Sequence, residues 1–368
     1  MPDAFNPASP APFSDELLDW YDANAALLPW RKFQTDPYRV WLSEIMLQQT
    51  QVETVIPYYM RFLDQYPDVH ALANAPIDDV LKVWEGLGYY SRARNLHKTA
   101  ITVSTEYDGK FPDSVEGLMT LAGIGRYTAG AIASIAFGLV APLLDGNVIR
   151  VFSRLKDFSD DVTTSAAQAR LWQLAETWLP QTRAGDYNQA LMELGRTVCK
   201  PRNPLCETCP ICAYCLAYAN GTQAERPVKK KKAPTPHFDV SAGLIRDENG
   251  RLLIAQRPME GLLGGLWEFP GGKQEKGETL PECLQRELRE ELAIEVEVGG
   301  LFISVKHAFT HFKITLHAFD CRYVSGAPQK LGVRDFAWVT EDELAKYSFG
   351  KADRQVIQAL QERRNMLF

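Results

Sequence analysis

Residues 121–130 read Leu121-Ala122-Gly123-Ile124-Gly125-Arg126-Tyr127-Thr128-Ala129-Gly130. Two glycines one residue apart break a stretch that otherwise suits a helix. The run predicts a helix, a tight hairpin and a second helix, because glycine permits a sharp turn and close backbone approach. The start of the second helix then offers free N–H groups at the positive end of the helix dipole, a ready site for phosphate. Gly123, Gly125 and Arg126 are the candidate phosphate contacts. Twenty residues after Gly125 comes Asp145-Gly146-Asn147-Val148. An Asp before Gly in a polar turn commonly caps a helix or closes an Asx-turn.

Outward from the hairpin, residues 14–219 read as helices. Trp41, Ile45, Met46 and Thr50 follow helical spacing, as do Val80, Val83, Trp84 and Leu87. Near the end of this half stand Cys199, Cys206, Cys209 and Cys215, spaced C-x6-C-x2-C-x5-C. A structural zinc site usually brings two short-range pairs. Here one outer thiol precedes a single tight pair, and four thiolates from one compact loop suit a cubane of iron and sulfide. Cys212 opens a second series, Cys206, Cys209, Cys212 and Cys215; the preferred reading leaves Cys212 as a spare buried thiol beside the cluster. The start of the chain has no apolar h-region and no Arg-rich amphipathic pattern, and no apolar run approaches membrane-spanning length. The expected setting is therefore the cytoplasm, with no membrane partner, where clustered thiols mean metal rather than disulfides. The net charge of -6 allows a polyanion to bind only through focused contacts.

Residues 225–236 hold Pro227, Lys229, Lys230, Lys231, Lys232, Pro234 and Pro236 and have no apolar face, so they read as an exposed linker. Beyond it, residues 240–245, 252–255, 296–305, 314–319 and 336–339 are strand-like runs between turn residues. Residues 280–292 form a charged helical segment, and 354–363 a terminal helix. The expected organisation is a flexible start over 1–13, an all-helical domain over 14–224, a linker over 225–236 and an α+β domain over 237–368.

The hairpin, Asp145 and the cysteines together resemble the helix-hairpin-helix DNA glycosylases, whose Gly/Pro-rich loop ends in Asp. Within that superfamily, residues 28–31 (Leu-Pro-Trp-Arg), 40–52 (Val-Trp-Leu-Ser-Glu-Ile-Met-Leu-Gln-Gln-Thr-Gln-Val) and 84–96 (Trp-Glu-Gly-Leu-Gly-Tyr-Tyr-Ser-Arg-Ala-Arg-Asn-Leu) look like the adenine DNA glycosylase, or MutY, family. The resemblance covers nearly the whole chain. It implies a bacterial enzyme acting as a monomer on duplex DNA that carries adenine opposite 8-oxoguanine or guanine, with a [4Fe–4S] cluster held by Cys199, Cys206, Cys209 and Cys215. The cluster would stiffen a loop that carries Lys200 and Arg202 toward phosphates, and Gly123, Gly125 and Arg126 would contact DNA. Relatives that also cut the strand place a nucleophilic lysine where this chain has Tyr127. Without that amine no Schiff base forms at the sugar, which favours base removal alone.

A glycosidic bond is the natural target of two carboxyls. On this reading Glu44, raised in pKa by an apolar setting, protonates the adenine ring, while ionised Asp145 stabilises the oxocarbenium-like sugar. The resemblance makes Tyr127 and Asn147 the hydrogen-bond partners that hold Asp145 and the water. It also places Trp30, Arg31 and Glu193 around the adenine, and Gln48, Gln49 and Tyr89 in the stack beside 8-oxoguanine. Rival readings are a bifunctional glycosylase/lyase, a nucleotide pyrophosphatase with a DNA-tethering domain, and a lesion-binding module without catalysis.

In the second half, Gly272-x5-Glu278-x7-Arg286-Glu287-Leu288-x-Glu290-Glu291-x-Ala293-Ile294 departs from the Nudix box only at Ala293, where the box has Gly. The glutamates would share one helical face and could bind a divalent metal on a pyrophosphate. The preferred expectation is a retained scaffold. Residues 307–312 (His-Ala-Phe-Thr-His-Phe) match the lesion-reading loop of the adenine glycosylases, which implies that Phe309, Thr310 and His311 meet the 8-oxoguanine. The family usually has Ser where Thr310 stands.

Overall fold

The computed structural model describes residues 11–230 and 234–366, so part of the expected N-terminal tail and residues 231–233 of the expected linker lie outside the described residues. The chain divides into two compact units: Met1–Asn74 with Asn95–Lys231, and Ala75–Arg94 with Lys232–Phe368.

The first unit is helical. The helix Pro37–Leu47 begins where the Asp36 carboxylate accepts from the N–H groups of Tyr38 and Arg39, with Pro37 in the first turn. Its residues from Val40 to Met46 are all buried. At the hairpin, Gly123 has φ +75°, and a Cβ there would lie 2.7 Å from that of Asn95, so both backbone and space require glycine. The next helix, Arg126–Ile135, starts from Gly125 without a side-chain cap. Asp145 caps the helix Gly146–Leu155. The helix Ala184–Thr197 approaches that start closely; a Cβ on Gly195 would lie 2.6 Å from the Cβ of Asn147. Phe13 and Phe152 both set their edges against Trp178, at 5.4 and 5.0 Å between ring centroids. Burying each phenylalanine contributes about 1.5–3 kcal/mol. Phe13 is fully buried, so the core begins inside the stretch expected to be a flexible start.

The other edge of this unit also departs from expectation. Arg226 pairs with Asp157 at 2.8 Å, and the Val228 carbonyl accepts from the N–H of Val162 at 3.0 Å. These residues of the expected linker are tied to the helical unit.

Among the described residues of the second unit, seven strands form a mixed sheet, and the helices Leu280–Leu292 and Lys351–Met366 pack on its two faces. Its strands are β1 (His237–Arg246), β2 (Leu252–Gln256), β3 (Trp267–Glu268), β4 (Gly271–Lys273), β5 (Glu295–Ala308), β6 (Lys313–Ser325) and β7 (Asp335–Val339). The order is β3-β2-β1-β6-β5, with β4 paired to β1 and β7 to β2. Strand alternation divides the core. Leu252, Ile254, Leu316 and Ala318 pack with Val356 and Leu360 of the helix Lys351–Met366. Leu253, Ala255, Phe319 and Cys321 pack with Leu284 and Leu288 of the helix Leu280–Leu292. Residues 75–94 join this unit through their hydrogen bonds: Arg94 donates to the Gly264 carbonyl at 2.7 Å, and Gln256 donates to Asp78 at 2.9 Å.

Candidate active site

Glu44 projects from the buried helix Pro37–Leu47 and is 5% exposed. The Tyr127 hydroxyl, from the first turn after the hairpin, donates to Glu44 Oε2 at 2.5 Å. Burial pushes the Glu44 carboxyl up to about 7; the Tyr127 hydrogen bond opposes this, the Asp145 charge adds to it, and Arg31 opposes it. Burial, with the charges of Glu44 and Asp145, also holds the Tyr127 phenol well above its ordinary range, so it stays a donor.

Asp145 is fixed by the helix it caps. Its Oδ1 accepts from the N–H groups of Asn147 and Val148 at 2.9 and 2.7 Å, and its Oδ2 accepts from Asn147 Nδ2 at 2.8 Å. Burial raises the Asp145 pKa, whereas these donors and Arg150 favour its carboxylate. Asn147 thus bonds the Asp145 carboxylate. Tyr127 does not: its hydroxyl goes to Glu44 rather than to Asp145, because Glu44 faces it across the helix pair.

Arg31 meets Glu193 at 3.0 Å and also donates to the Ala26 carbonyl. Glu193 is 3% exposed and takes a second guanidinium, that of Arg196, at 2.6 Å. Trp30 is buried edge-on against Tyr59, 5.4 Å away. Gln48 Nε2 donates to Thr128 Oγ1 at 3.3 Å, and Gln49 turns the chain with φ +57° just past the helix end. At the hairpin, the Arg126 guanidinium lies 3.9 Å above the Trp172 ring and pairs with Glu176.

Two arginines, Arg150 and Arg154, hold this site together. Arg150 and Arg154 are both under one-tenth exposed and lie one turn apart on the helix Gly146–Leu155. Arg150 donates to Asn147 Oδ1 at 2.8 Å, to the Gly195 carbonyl at 2.7 Å and to the Cys199 carbonyl at 2.7 Å. The first bond fixes which end of the Asn147 amide meets Asp145. Arg154 donates to Cys199 Sγ at 3.2 Å and to the Lys200 carbonyl at 2.8 Å. The signal available in sequence was a pair of charges at i and i+4 within an otherwise apolar helix face.

The cysteine loop follows two single turns, Cys206–Thr208 and Cys212–Tyr214. Cys199, Cys209 and Cys215 pack against the helical core. Burial raises the Cys209 and Cys215 thiols to about 12 and about 11, and the neighbouring thiol charges add to this. The irons of a cluster would supply the positive charge that holds such a set as thiolates. Among the described residues no three His, Cys, Asp or Glu side chains stand where one metal ion could hold them.

In the second unit, the Tyr89 hydroxyl and Thr310 Oγ1 are 3.0 Å apart, and Tyr89 has φ +50° and is 43% exposed. Phe309 lies between His307, edge-on at 4.6 Å, and Phe312 at 4.7 Å; His311 is exposed. In the Nudix-like box Arg286 bonds Glu278 at 2.9 Å, Glu287 at 3.0 Å and Glu290 at 3.2 Å. Burial, with the charges of Glu268 and Glu287, lifts Glu291 to about 7.

Residues 42–177 match the family described as HhH-GPD superfamily base excision DNA repair protein, and residues 241–359 match the NUDIX domain. The adenine DNA glycosylase of Mus musculus is 36% identical over 408 residues, covering 96% of this chain and 78% of that protein. The chain belongs to the adenine DNA glycosylase family. That of Buchnera aphidicola (Schizaphis graminum strain) is 42% identical over 221 residues, covering 60% of this chain and 63% of its own. A solved thermostable thymine-DNA glycosylase is 29% identical with a TM-score of 0.50, covering 56% of this chain and 95% of its own. The enzyme class is thus an N-glycosylase of base excision repair, with DNA as its substrate. No helix among the described residues is long and apolar enough to cross a membrane.

Proposed function

We propose that this adenine DNA glycosylase removes adenine paired with 8-oxoguanine or guanine in duplex DNA, by acid-assisted cleavage of the N-glycosidic bond and without cutting the strand. The observation that carries this reading is the buried Glu44 carboxyl, set by burial to a pKa of about 7 beside Asp145. A carboxyl so poised is half protonated near neutrality, which suits a general acid.

The adenine first leaves the stack. Glu44 gives its proton to ring nitrogen 7, so the base departs neutral. The Tyr127 hydrogen bond favours the carboxylate that remains, which assists the transfer. Asp145, held by two backbone N–H groups and Asn147, faces the positive charge that grows on the sugar and stabilises it without having to reorient. Glu193 can accept from the exocyclic amine of adenine, and Arg31 can donate to a ring nitrogen. Tyr127 carries no amine, so no Schiff base to the sugar follows.

Cys199, Cys206, Cys209 and Cys215 would hold a [4Fe–4S] cluster, which supplies no acid or base and fixes the loop bearing Lys200 and Arg202. The uncapped N-terminus after Gly125 receives a phosphate. Phe309, Thr310 and His311, with Tyr89 bonded to Thr310, form the reader for 8-oxoguanine.

The test offers duplexes with adenine opposite 8-oxoguanine, guanine or thymine, followed by alkali. Strand cleavage is expected only after alkali and only with the first two partners. Cleavage without alkali, or equal action on adenine opposite thymine, would overturn the reading.

A further inference from the structure

Five cysteines occupy the cluster loop, one more than a cubane needs. Their packing separates them into three and two. Cys199, Cys209 and Cys215 lie against the helical core, and Cys199 is also bonded by Arg154. Cys206 and Cys212 are not part of that packing.

The two outer thiols occupy equivalent places. Cys206 opens the turn Cys206–Thr208, and Cys212 opens the turn Cys212–Tyr214. Each turn closes on a core-packed cysteine: the Cys209 N–H donates to the Cys206 carbonyl at 3.2 Å, and the Cys215 N–H donates to the Cys212 carbonyl at 3.0 Å. Cys209 and Cys215 both leave their turns in extended backbone, at φ -75°, ψ 124° and φ -91°, ψ 101°. The loop is therefore a doubled C-x2-C turn. The Cys212 N–H also donates to the Cys209 carbonyl at 3.1 Å, which joins the second turn directly to the first.

Cys206 lines an open cavity of about 710 Å³ together with Arg202, Leu205 and Tyr218, and Cys212 does not. Cys206 and Cys212 are both half-buried, so both thiols can be reached from solution.

We propose that Cys212 is a reserve ligand: Cys199, Cys209 and Cys215 hold three corners of the cluster, and either Cys206 or Cys212 holds the fourth. In the exchange one iron–thiolate bond breaks and one forms. Cys206 takes up a proton, Cys212 gives one up, and no electron moves. The proposal rests on the reading of the loop as a [4Fe–4S] site, and the experiment separates the two.

Full-length wild type, Cys206→Ser, Cys212→Ser, the double variant and Cys209→Ser are purified without oxygen. Iron and acid-labile sulfide per chain are measured with the visible absorbance. Wild type and both outer single variants should hold about four irons. The double variant and Cys209→Ser should lose the cluster or keep an incomplete one. Wild type without iron sinks the cluster reading itself. A Cys206→Ser protein as depleted as the double variant overturns the reserve ligand while leaving the cluster standing. Alkylation with mass-spectrometric mapping guards against simple misfolding. Cys212 should react in wild type and become protected in Cys206→Ser until the iron is chelated; a Cys212 that reacts equally in both sinks the proposal.

Discussion

At the scale of the residue, burying Glu44 makes the folded chain hold a proton that the unfolded chain releases. Its pKa is about 7 when folded against an ordinary 4.5. Between those values the folded state binds more protons, so this group's contribution to stability falls as pH rises, and the whole penalty is present above pH 7. That shift corresponds to a penalty of about 3 kcal/mol. Glu44→Gln keeps the shape and removes the charge. It should match wild type in urea unfolding at pH 5 and exceed it by up to about 3 kcal/mol at pH 8. Excision should vanish at both pH values while binding of the lesion duplex persists, because the proton is needed only in the transition state. In wild type the single-turnover rate should fall as pH climbs through about 7. An equal stability gain at both pH values would mean that Glu44 is not buried as an acid. Removing the Asp145 charge would have a more mixed effect, since the same carboxylate also caps a helix.

At the scale of the element, Ala293 shows how one residue sets a boundary. It ends the helix Leu280–Leu292 in the left-handed region, at φ +55°, where the Nudix box carries Gly. A left-handed non-glycine residue costs about 1–2 kcal/mol. Ala293→Gly removes that strain but also adds about 0.4–1 kcal/mol of unfolded-state entropy. The net expectation is a gain of up to about 1 kcal/mol, visible in the unfolding midpoint of the full chain, with excision unchanged; a loss of stability would show that the Ala293 methyl is packed. The helix itself was legible from its charged periodicity, and β1, β2, β5, β6 and β7 from apolar runs between turns. The strands β3 and β4 were not, since runs of two and three residues on either side of Phe269-Pro270 carry no period. Likewise Glu44, Asp145 and the cysteines were legible through motifs of local sequence. Arg150 and Arg154 were not, because their value lies in reaching carbonyls that come from Gly195, Cys199 and Lys200 on other segments. That the Tyr127 hydroxyl goes to Glu44 rather than to Asp145 was not legible either, since only the fold decides which acid it faces.

At the scale of the whole molecule, one chain carries two sets of carboxylates, and the question is whether both perform chemistry. In the helical unit the acids are buried, and each has a directed hydrogen-bond donor. In the sheet unit the box glutamates are gathered instead around one cation. Arg286 already binds Glu278, Glu287 and Glu290, so their mutual repulsion is relieved without metal. A divalent ion on Glu287 and Glu290 would have to displace that guanidinium, and Glu291, raised to about 7 by burial, would have to lose a proton as well. Glu290 is also 60% exposed on its side chain, where water competes for any ion. The box is therefore expected to serve as scaffold. Nucleoside triphosphates, including the 8-oxo form, incubated with magnesium or manganese should release no more pyrophosphate with wild type than with Glu290→Gln. Excision by Glu290→Gln should equal that of wild type. Pyrophosphate release that disappears in Glu290→Gln yet survives in Glu44→Gln would show that metal does win the carboxylates from Arg286, and the chain would then carry two reactions, one in each unit.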